Sequence, residues 1–311
     1  MSTAPIVLFA YKRPAHTLAM LEALAACELA DQSRLYIYCD GPKTPEDRAL
    51  TDEVQAVARS RQWCAEVEVV AREQNRGLAA SVIAGVTELC KEYGRVIVLE
   101  DDLVVAPNFL RYMNEALDRY VDEPKVMQIS GHMFDVALDI DADALFMPFV
   151  TTWGWATWAR AWAHFDPAMG GYDKLRADAK RRRRFNLDGT YNYFDMLERQ
   201  RAGVIDSWGI RWNLSVFDSD GLVLYPKRSL VDNRGFDGSG THCGVTDKSV
   251  AAGHDGPGGH EVTVFPKTVG LDQDYSPVLT YLRNAGGNRY KRLAKSVLAQ
   301  LGLRKSSAGN N

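Results

Sequence analysis

The chain has 311 residues, 46% apolar and 25% charged, which is ample for a large core and excludes a disordered chain or a disulfide-stapled miniature. Its 37 basic and 40 acidic side chains nearly cancel to a net charge of -3, arguing against a dedicated nucleic-acid binder. No stretch approaches the ~20 continuous apolar residues of a membrane-spanning helix. The five scattered cysteines (Cys27, Cys39, Cys64, Cys90, Cys243) read as reduced core thiols, which points to the cytoplasm. Met1–Ala10 has no basic leader and reads as a first buried strand rather than a signal peptide.

Residues 5–130 alternate between two kinds of segment. Apolar runs of strand length cover Pro5–Tyr11, Arg34–Cys39, Ala65–Val70, Arg95–Leu99 and Val126–Ser130. Between them, Pro14–Cys27, Glu46–Ser60, Leu78–Lys91 and Pro107–Tyr120 repeat apolar residues every three or four positions, the period of a helix. Continuous apolar strands separated by helices predict an α/β fold, Rossmann-like, with a mostly parallel sheet covered on both faces. Ligands in such sheets lie beyond the carboxyl ends of the strands. The loops to search are therefore Tyr11–Pro14, Cys39–Pro45, Gln74–Gly77 and Glu100–Pro107.

After residue 131 the pattern dissolves. Six of the seven tryptophans lie between Trp153 and Trp212, and Gly235–Gly259 packs eight glycines into 25 residues. A loop of that length in a compact enzyme is a functional lid or is disordered. The stretch Asn288–Lys305 returns to helical spacing, with Leu293, Val297 and Leu301 among basic residues. The expected organisation is one α/β body in two halves, 1–130 and 131–282 with a glycine-rich loop at 234–260, followed by a basic amphipathic tail at 283–311.

The chemistry concentrates where Val96–Leu99 runs into Glu100-Asp101-Asp102. A buried strand cannot hold three carboxylates, so they must emerge at its carboxyl end. Neighbouring acids repel unless a cation neutralises them, and oxygen-only ligands suit Mn2+ or Mg2+, which commonly bridges to substrate phosphates. The plainer reading is an acidic helix N-cap ahead of Asn108.

A first strand ending in Tyr11-Lys12-Arg13-Pro14, a second in Cys39-Asp40-Gly41, then Asn75-Arg76-Gly77 and Val98-Leu99-Glu100-Asp101-Asp102 is a distinctive running order. It resembles GT-A-fold glycosyltransferases over roughly residues 5–245. The triplet followed by Leu103 and Pro107-Asn108-Phe109 is similar to the N-acetylglucosaminyltransferase I type. Together with Trp153-Gly-Trp155-Ala-Thr-Trp158, the pattern also resembles bacterial haemolysin-like sugar transferases. The resemblance implies a metal-dependent, inverting glycosyltransferase using a nucleotide-diphosphate sugar, with a UDP-sugar favoured and UDP-GlcNAc a candidate. The implied acceptor is a saccharide, lipid-linked, in bacterial surface polysaccharide synthesis. Carried over by position, the resemblance makes Asp102 the metal ligand. Glu100 and Asp101 would hold the metal through water or contact sugar and ribose, Arg13 would contact the diphosphate, and Asp40 would receive the uracil ring. Asn75 and Arg76 fall in the donor-binding set. The family histidine on the helix after the third strand has no counterpart in Gly77-Leu-Ala-Ala-Ser81, which leaves Ser81 or Arg76 for its contact.

Inverting transfer needs a carboxylate to deprotonate the acceptor hydroxyl. The family places that base two residues before a tryptophan, and Asp206, ahead of Ser207-Trp208, matches. The same residues also read as the N-cap of a helix through Trp208, Trp212 and Val216, which is compatible. Trp153 and Trp155, around Gly154, are expected to touch the acceptor, with Trp208 and Arg211. However, Trp155, Trp158 and Trp162 also have the spacing of one buried helical face. Ser239, Thr241 and His242 resemble the family's mobile loop over the donor, while the spacing of His242, Cys243, His254 and His260 fits no structural zinc site.

Lys180-Arg181-Arg182-Arg183-Arg184 and the bases of 288–305 are expected to attract an anionic membrane, placing the protein peripherally on the inner face of the cytoplasmic membrane. A solvated helix face is the ordinary alternative. Two other classes compete. A sugar-phosphate nucleotidyltransferase would carry a glycine-rich, lysine-bearing loop after the first strand, where Tyr11-Lys12-Arg13-Pro14 has no glycine. A non-catalytic carbohydrate-binding protein leaves the acidic strand end and Asp206 unexplained. Dinucleotide, P-loop and His-Glu-X-X-His fingerprints are absent.

Overall fold

The computed structural model describes residues 3–236 and 260–284. Its centre is an eight-stranded sheet in the order β3-β2-β1-β4-β8-β6-β9-β7. The strands β1 (Ile6–Ala10), β2 (Arg34–Cys39), β3 (Glu66–Ala71) and β4 (Arg95–Glu100) are parallel neighbours. All of β1 is buried, as its unbroken apolar run requires. The chain winds outward from β1 to β3, then returns across β1 to begin β4. The winding therefore reverses between β1 and β4, and a crevice opens there at the carboxyl ends of the strands.

The intervening helices follow local rules. Helix α1 (Pro14–Ala25) starts on a proline, whose missing N–H costs nothing at the first helical position. Helix α2 (Arg48–Arg59) follows a 3-10 turn, and α3 (Leu78–Tyr93) ends at Gly94, whose φ of 76° is the left-handed cap conformation. Helix α4 (Phe109–Arg119) buries Phe109, Tyr112, Met113 and Leu117 on the sheet.

Beyond residue 126 the sheet becomes mixed. Strand β6 (Val126–Ser130) and strand β9 (Leu222–Pro226) are parallel to each other, whereas β8 (Trp155–Trp158) inserts antiparallel between β4 and β6. Strand β7 (Ala144–Met147) pairs antiparallel to β9 at the far edge. A separate ribbon joins β5 (Leu103–Val105) to β10 (Val231–Asn233), so the chain just after the acidic triplet is tied to the segment that leads into the glycine-rich stretch.

Strand β8 corrects the helical reading of the tryptophans. Trp155, Ala156, Thr157 and Trp158 are all buried, so no polar alternation marks the period, and a strand covered on both faces cannot be told from a helix by spacing. Trp155 packs on Trp162 and Trp208, while Trp158 donates its Nε1–H to the Leu117 carbonyl of α4.

After α5 (Ala159–Trp162), the helices α6 (Tyr172–Ala177), α7 (Ala179–Phe185) and α8 (Tyr193–Arg201) pack against α9 (Trp208–Asp218). They build a second cluster from Tyr172, Leu175, Phe185, Phe194, Leu197, Ile210, Leu214 and Phe217. The basic run lies on α7, and its arginines have partners. Arg181 pairs with Asp218 at 2.6 Å and Arg184 with Asp220 at 2.6 Å, and both guanidinium groups lie 5.0 Å from the Phe217 ring centre. Arg182 donates to the Arg176 carbonyl and stands over Phe194, and Arg183 is 3.5 Å from Asp188. The arginines of the run expected to meet a membrane thus tie α7 to the end of α9 and the turns beside them, because the fold brings acids and aromatic rings to them. The basic tail at 288–305 lies outside the described residues. Among the described residues no helix is long and apolar enough to cross a membrane.

Candidate active site at the sheet reversal

The loop after β1 and the end of β4 face each other across the crevice. Asp101 is buried; its carboxylate accepts the Tyr11 N–H at 2.9 Å and is ion-paired to Arg13. Arg13 also reaches Asp102 at 3.2 Å. Lys12, between these contacts, has a φ of 21°, a conformation L-residues rarely adopt. Asp47 holds it there, accepting from Lys12 Nζ at 2.9 Å and from the Tyr11 hydroxyl at 2.8 Å.

Glu100, Asp101 and Asp102 thus share one guanidinium. Burial, followed by repulsion from Asp102 and Asp101, pushes the Glu100 carboxyl up to about 8. Burial also raises Asp101 to about 6, despite the opposing pull of Arg13. A buried site short of positive charge is one that a cation stabilises. The donors fit a hard divalent ion, since Asp102 and Glu100 offer carboxylate oxygens at the mouth of the crevice. Among the described residues no three His, Cys, Asp or Glu side chains form a ready-made cage. Asp102 is also where β10 arrives. Its carbonyl accepts the Arg234 N–H at 2.8 Å, and a Cβ on Gly235 would collide with its carboxylate. Only glycine allows so close an approach.

Two of the expected donor-site acids also have structural work. Asp40, expected to receive a base, has both carboxylate oxygens engaged by the backbone. Oδ1 accepts from Gly41 and Arg76 N–H groups at 3.0 and 2.9 Å, and Oδ2 from Gly77 N–H at 3.0 Å. It ties β2 to the start of α3, where a negative charge also suits the helix dipole. Asn75 completes the tie by donating to the Gly41 carbonyl at 3.0 Å. A Cβ on Gly41 would lie 2.5 Å from the Gln74 carbonyl carbon, so the two loops are pressed together. Asp101, likewise, braces the loop after β1 with its two carboxylate contacts. Arg76 remains exposed with no side-chain partner among the described residues, and Ser81 Oγ is buried without one.

The second half supplies the opposite wall. Trp155 is fully buried and Trp208 nearly so, with their rings stacked 5.1 Å apart, which removes both from contact with an acceptor. Trp153 is only half-buried and packs edge-on against His132 and Phe236. Since Trp155 pairs with Val98, Trp153 lies at the level of Glu100, on the ligand edge. Helix α9 starts beside it: a Cβ on Gly209 would lie 3.0 Å from the Thr152 methyl. Ser207 caps that helix by accepting the Ile210 N–H, as the sequence suggests. Asp206 precedes the cap, exposed, with Oδ1 accepting from Arg211 Nη2 at 2.7 Å. Ser239, Thr241 and His242 lie outside the described residues. His132, buried beside Trp153, is a residue that sequence reasoning did not single out, because one histidine between apolar neighbours carries no motif.

No known family profile and no curated protein sequence matches this chain. Many solved structures superpose on it in part, among them the following three. S. aureus TarS residues 1–349 gives 9% identity and a TM-score of 0.43 over 73% of this chain and 59% of that one. Mouse xyloside xylosyltransferase 1, in its apo form, gives 10% identity and a TM-score of 0.35 over 70% of this chain and 81% of that one. GalNAc-T7 with UDP, GalNAc and Mn2+ gives 12% identity and a TM-score of 0.43 over 75% of this chain and 44% of that one. The chain therefore spans 59% of the TarS structure that it matches.

Proposed function

We propose that this protein is a metal-dependent, inverting glycosyltransferase of the GT-A kind. It moves a sugar from a nucleotide-diphosphate sugar, UDP-linked in the first instance and UDP-GlcNAc among the candidates, to a saccharide acceptor. The observation that carries the reading is positional: surplus negative charge at Glu100–Asp102 coincides with the reversal between β1 and β4, where such sheets bind ligands.

In this reading Asp102 and Glu100 hold Mn2+ or Mg2+, which, when bound, offsets the charge of the departing diphosphate. Arg13 adds a fixed positive charge at the same point, and its buried Nη1 has no hydrogen-bond partner among the described residues, leaving a donor for a diphosphate oxygen. Asp40 and Asp101 keep the two loops in register. With Asp40 saturated, recognition of the base falls to Arg76 and Ser81. Asp206 acts as the base: Arg211 orients it through one oxygen, and the other takes the proton as the acceptor hydroxyl attacks the anomeric carbon. The carbon–diphosphate oxygen bond breaks on the opposite face, which inverts the centre. Closure over the donor by Ser239, Thr241 and His242 rests on the resemblance alone.

Calorimetric titration with UDP, GDP and ADP, each with and without Mn2+, tests the donor assignment. The expected result is Mn2+-dependent UDP binding that Asp102→Ala abolishes; binding unchanged by that substitution overturns the metal assignment. We extend the reading to a lipid-linked acceptor in surface-polysaccharide assembly. Flotation of the intact protein with anionic liposomes at low salt tests its membrane part, and absence of binding rejects it.

A further inference from the structure

His132 stands just past the carboxyl end of β6 and is 7% exposed. Phe134 and Trp153 pack edge-on against it, with ring centres at 5.1 and 4.5 Å. Its Nδ1 lies 3.4 Å from Ser229 Oγ. That hydroxyl donates its single proton to the Val231 carbonyl at 2.7 Å and accepts the Val231 N–H at 3.3 Å. With the hydroxyl proton so placed, Nδ1 is the donor in its contact with Ser229, and the Nδ1–H tautomer is the one this network favours. Nε2 is left as a bare acceptor, buried and without a hydrogen-bond partner. Burial pushes the imidazole pKa down to about 3, so protonation does not relieve the deficit near neutrality.

A buried acceptor without a donor is costly, and a native protein that keeps one has a reason. The surroundings point to a ligand. Trp153, which covers His132, is half-buried and touches Phe236 at 5.7 Å. Phe236 follows Gly235, whose α-carbon lies against Asp102. One chain of contacts thus joins the unpaired nitrogen to the acidic triplet. An indole face beside a hydrogen-bond acceptor matches a pyranose, which offers an apolar C–H face and hydroxyl donors.

Resting on the glycosyltransferase reading, we propose that His132 and Trp153 form a recognition corner for the acceptor sugar. The indole provides the stacking face, and Nε2 accepts a hydrogen bond from one sugar hydroxyl once the indole moves off it. A buried acceptor of this kind discriminates strongly against a sugar lacking the hydroxyl, because the nitrogen then stays unpaired.

The test is 15N-histidine NMR on the full chain, with His132 assigned by the signals lost in His132→Gln. The free protein should show a His132 in the Nδ1–H form that does not titrate between pH 7 and 5. With UDP and Mn2+ present, methyl glycosides of glucose, galactose, mannose and N-acetylglucosamine are then added. At least one should shift the Nε2 resonance upfield, and its deoxy analogue should bind about tenfold more weakly or worse. His132→Phe should weaken that glycoside by a similar factor and leave calorimetric UDP binding unchanged, while His132→Gln, which retains an acceptor oxygen, recovers part of the affinity. An Nε2–H tautomer, a glycoside that binds without moving Nε2, or no glycoside binding alongside intact UDP binding overturns the proposal. Loss of UDP binding in the wild-type protein instead overturns the glycosyltransferase reading beneath it.

Discussion

Glu100-Asp101-Asp102 and Lys180–Arg184 are both runs of like charge, yet the fold treats them in opposite ways. The acidic run ends a buried strand and meets a single guanidinium, leaving more carboxylates than cations among the described residues. The basic run lies on a short surface helix and meets Asp218, Asp220, Asp188, a carbonyl and two aromatic rings. A charge run therefore signals a ligand only where the fold withholds partners. The same comparison separates Asp102 and Asp206, each with one carboxylate oxygen unengaged among the described residues, from Asp40 and Asp101, each with both oxygens engaged.

The distinction breaks most visibly at Asp206. Asp206→Asn should lower transfer by about 10^3-fold, within the range for general-base loss, while calorimetric UDP binding and the urea midpoint stay unchanged. Full activity in that variant rejects Asp206 as the base. Next comes the saturated acid: Asp40→Ala strands the N–H groups of Gly41, Arg76 and Gly77 and should cost about 3 kcal/mol in urea denaturation. Unchanged stability with lost UDP affinity would return Asp40 to the donor site.

His132 sharpens the comparison as a group that the fold keeps uncharged. Its native pKa is about 3, against about 6.5 for an unfolded histidine. Between those values the unfolded chain binds a proton that the native protein does not, so this contribution to stability is complete above pH 6.5 and lost as pH falls. Unfolding free energies from urea titrations should fall by about 1.6 kcal/mol between pH 6.5 and pH 5 through this group, a dependence that His132→Gln removes. An identical fall in the variant refutes it. The smallest effect belongs to the ties of α7: Arg181→Gln and Arg184→Gln should each cost up to about 1 kcal/mol, with no change in liposome flotation. Loss of flotation in either variant would make the run a membrane contact after all.

Much of the first half was legible from residue order. The Arg34–Cys39 and Val126–Ser130 strands stand at their expected bounds, and Pro14 and Leu78 open helices where the apolar period begins. The triplet emerges at the carboxyl end of its strand because a buried strand excludes three charges. The second half was less legible. Strand β8 is four residues long and covered on both faces, so its tryptophans carry no readable period, and its partners β4 and β6 are remote in sequence.

By itself, then, the sequence determined the alternation of elements, the exit of Glu100–Asp102 from the core and the capped start of α9, since these follow from local periodicity and the cost of burying charge. Tertiary structure alone decided which charges stay unmatched. Arg13 is 88 residues from Asp101, Asp40 is 36 from Arg76, and Arg181 is 37 from Asp218. Whether an ionic side chain braces the protein or remains available to a ligand depends on partners that only the folded sheet and helices bring within hydrogen-bonding distance.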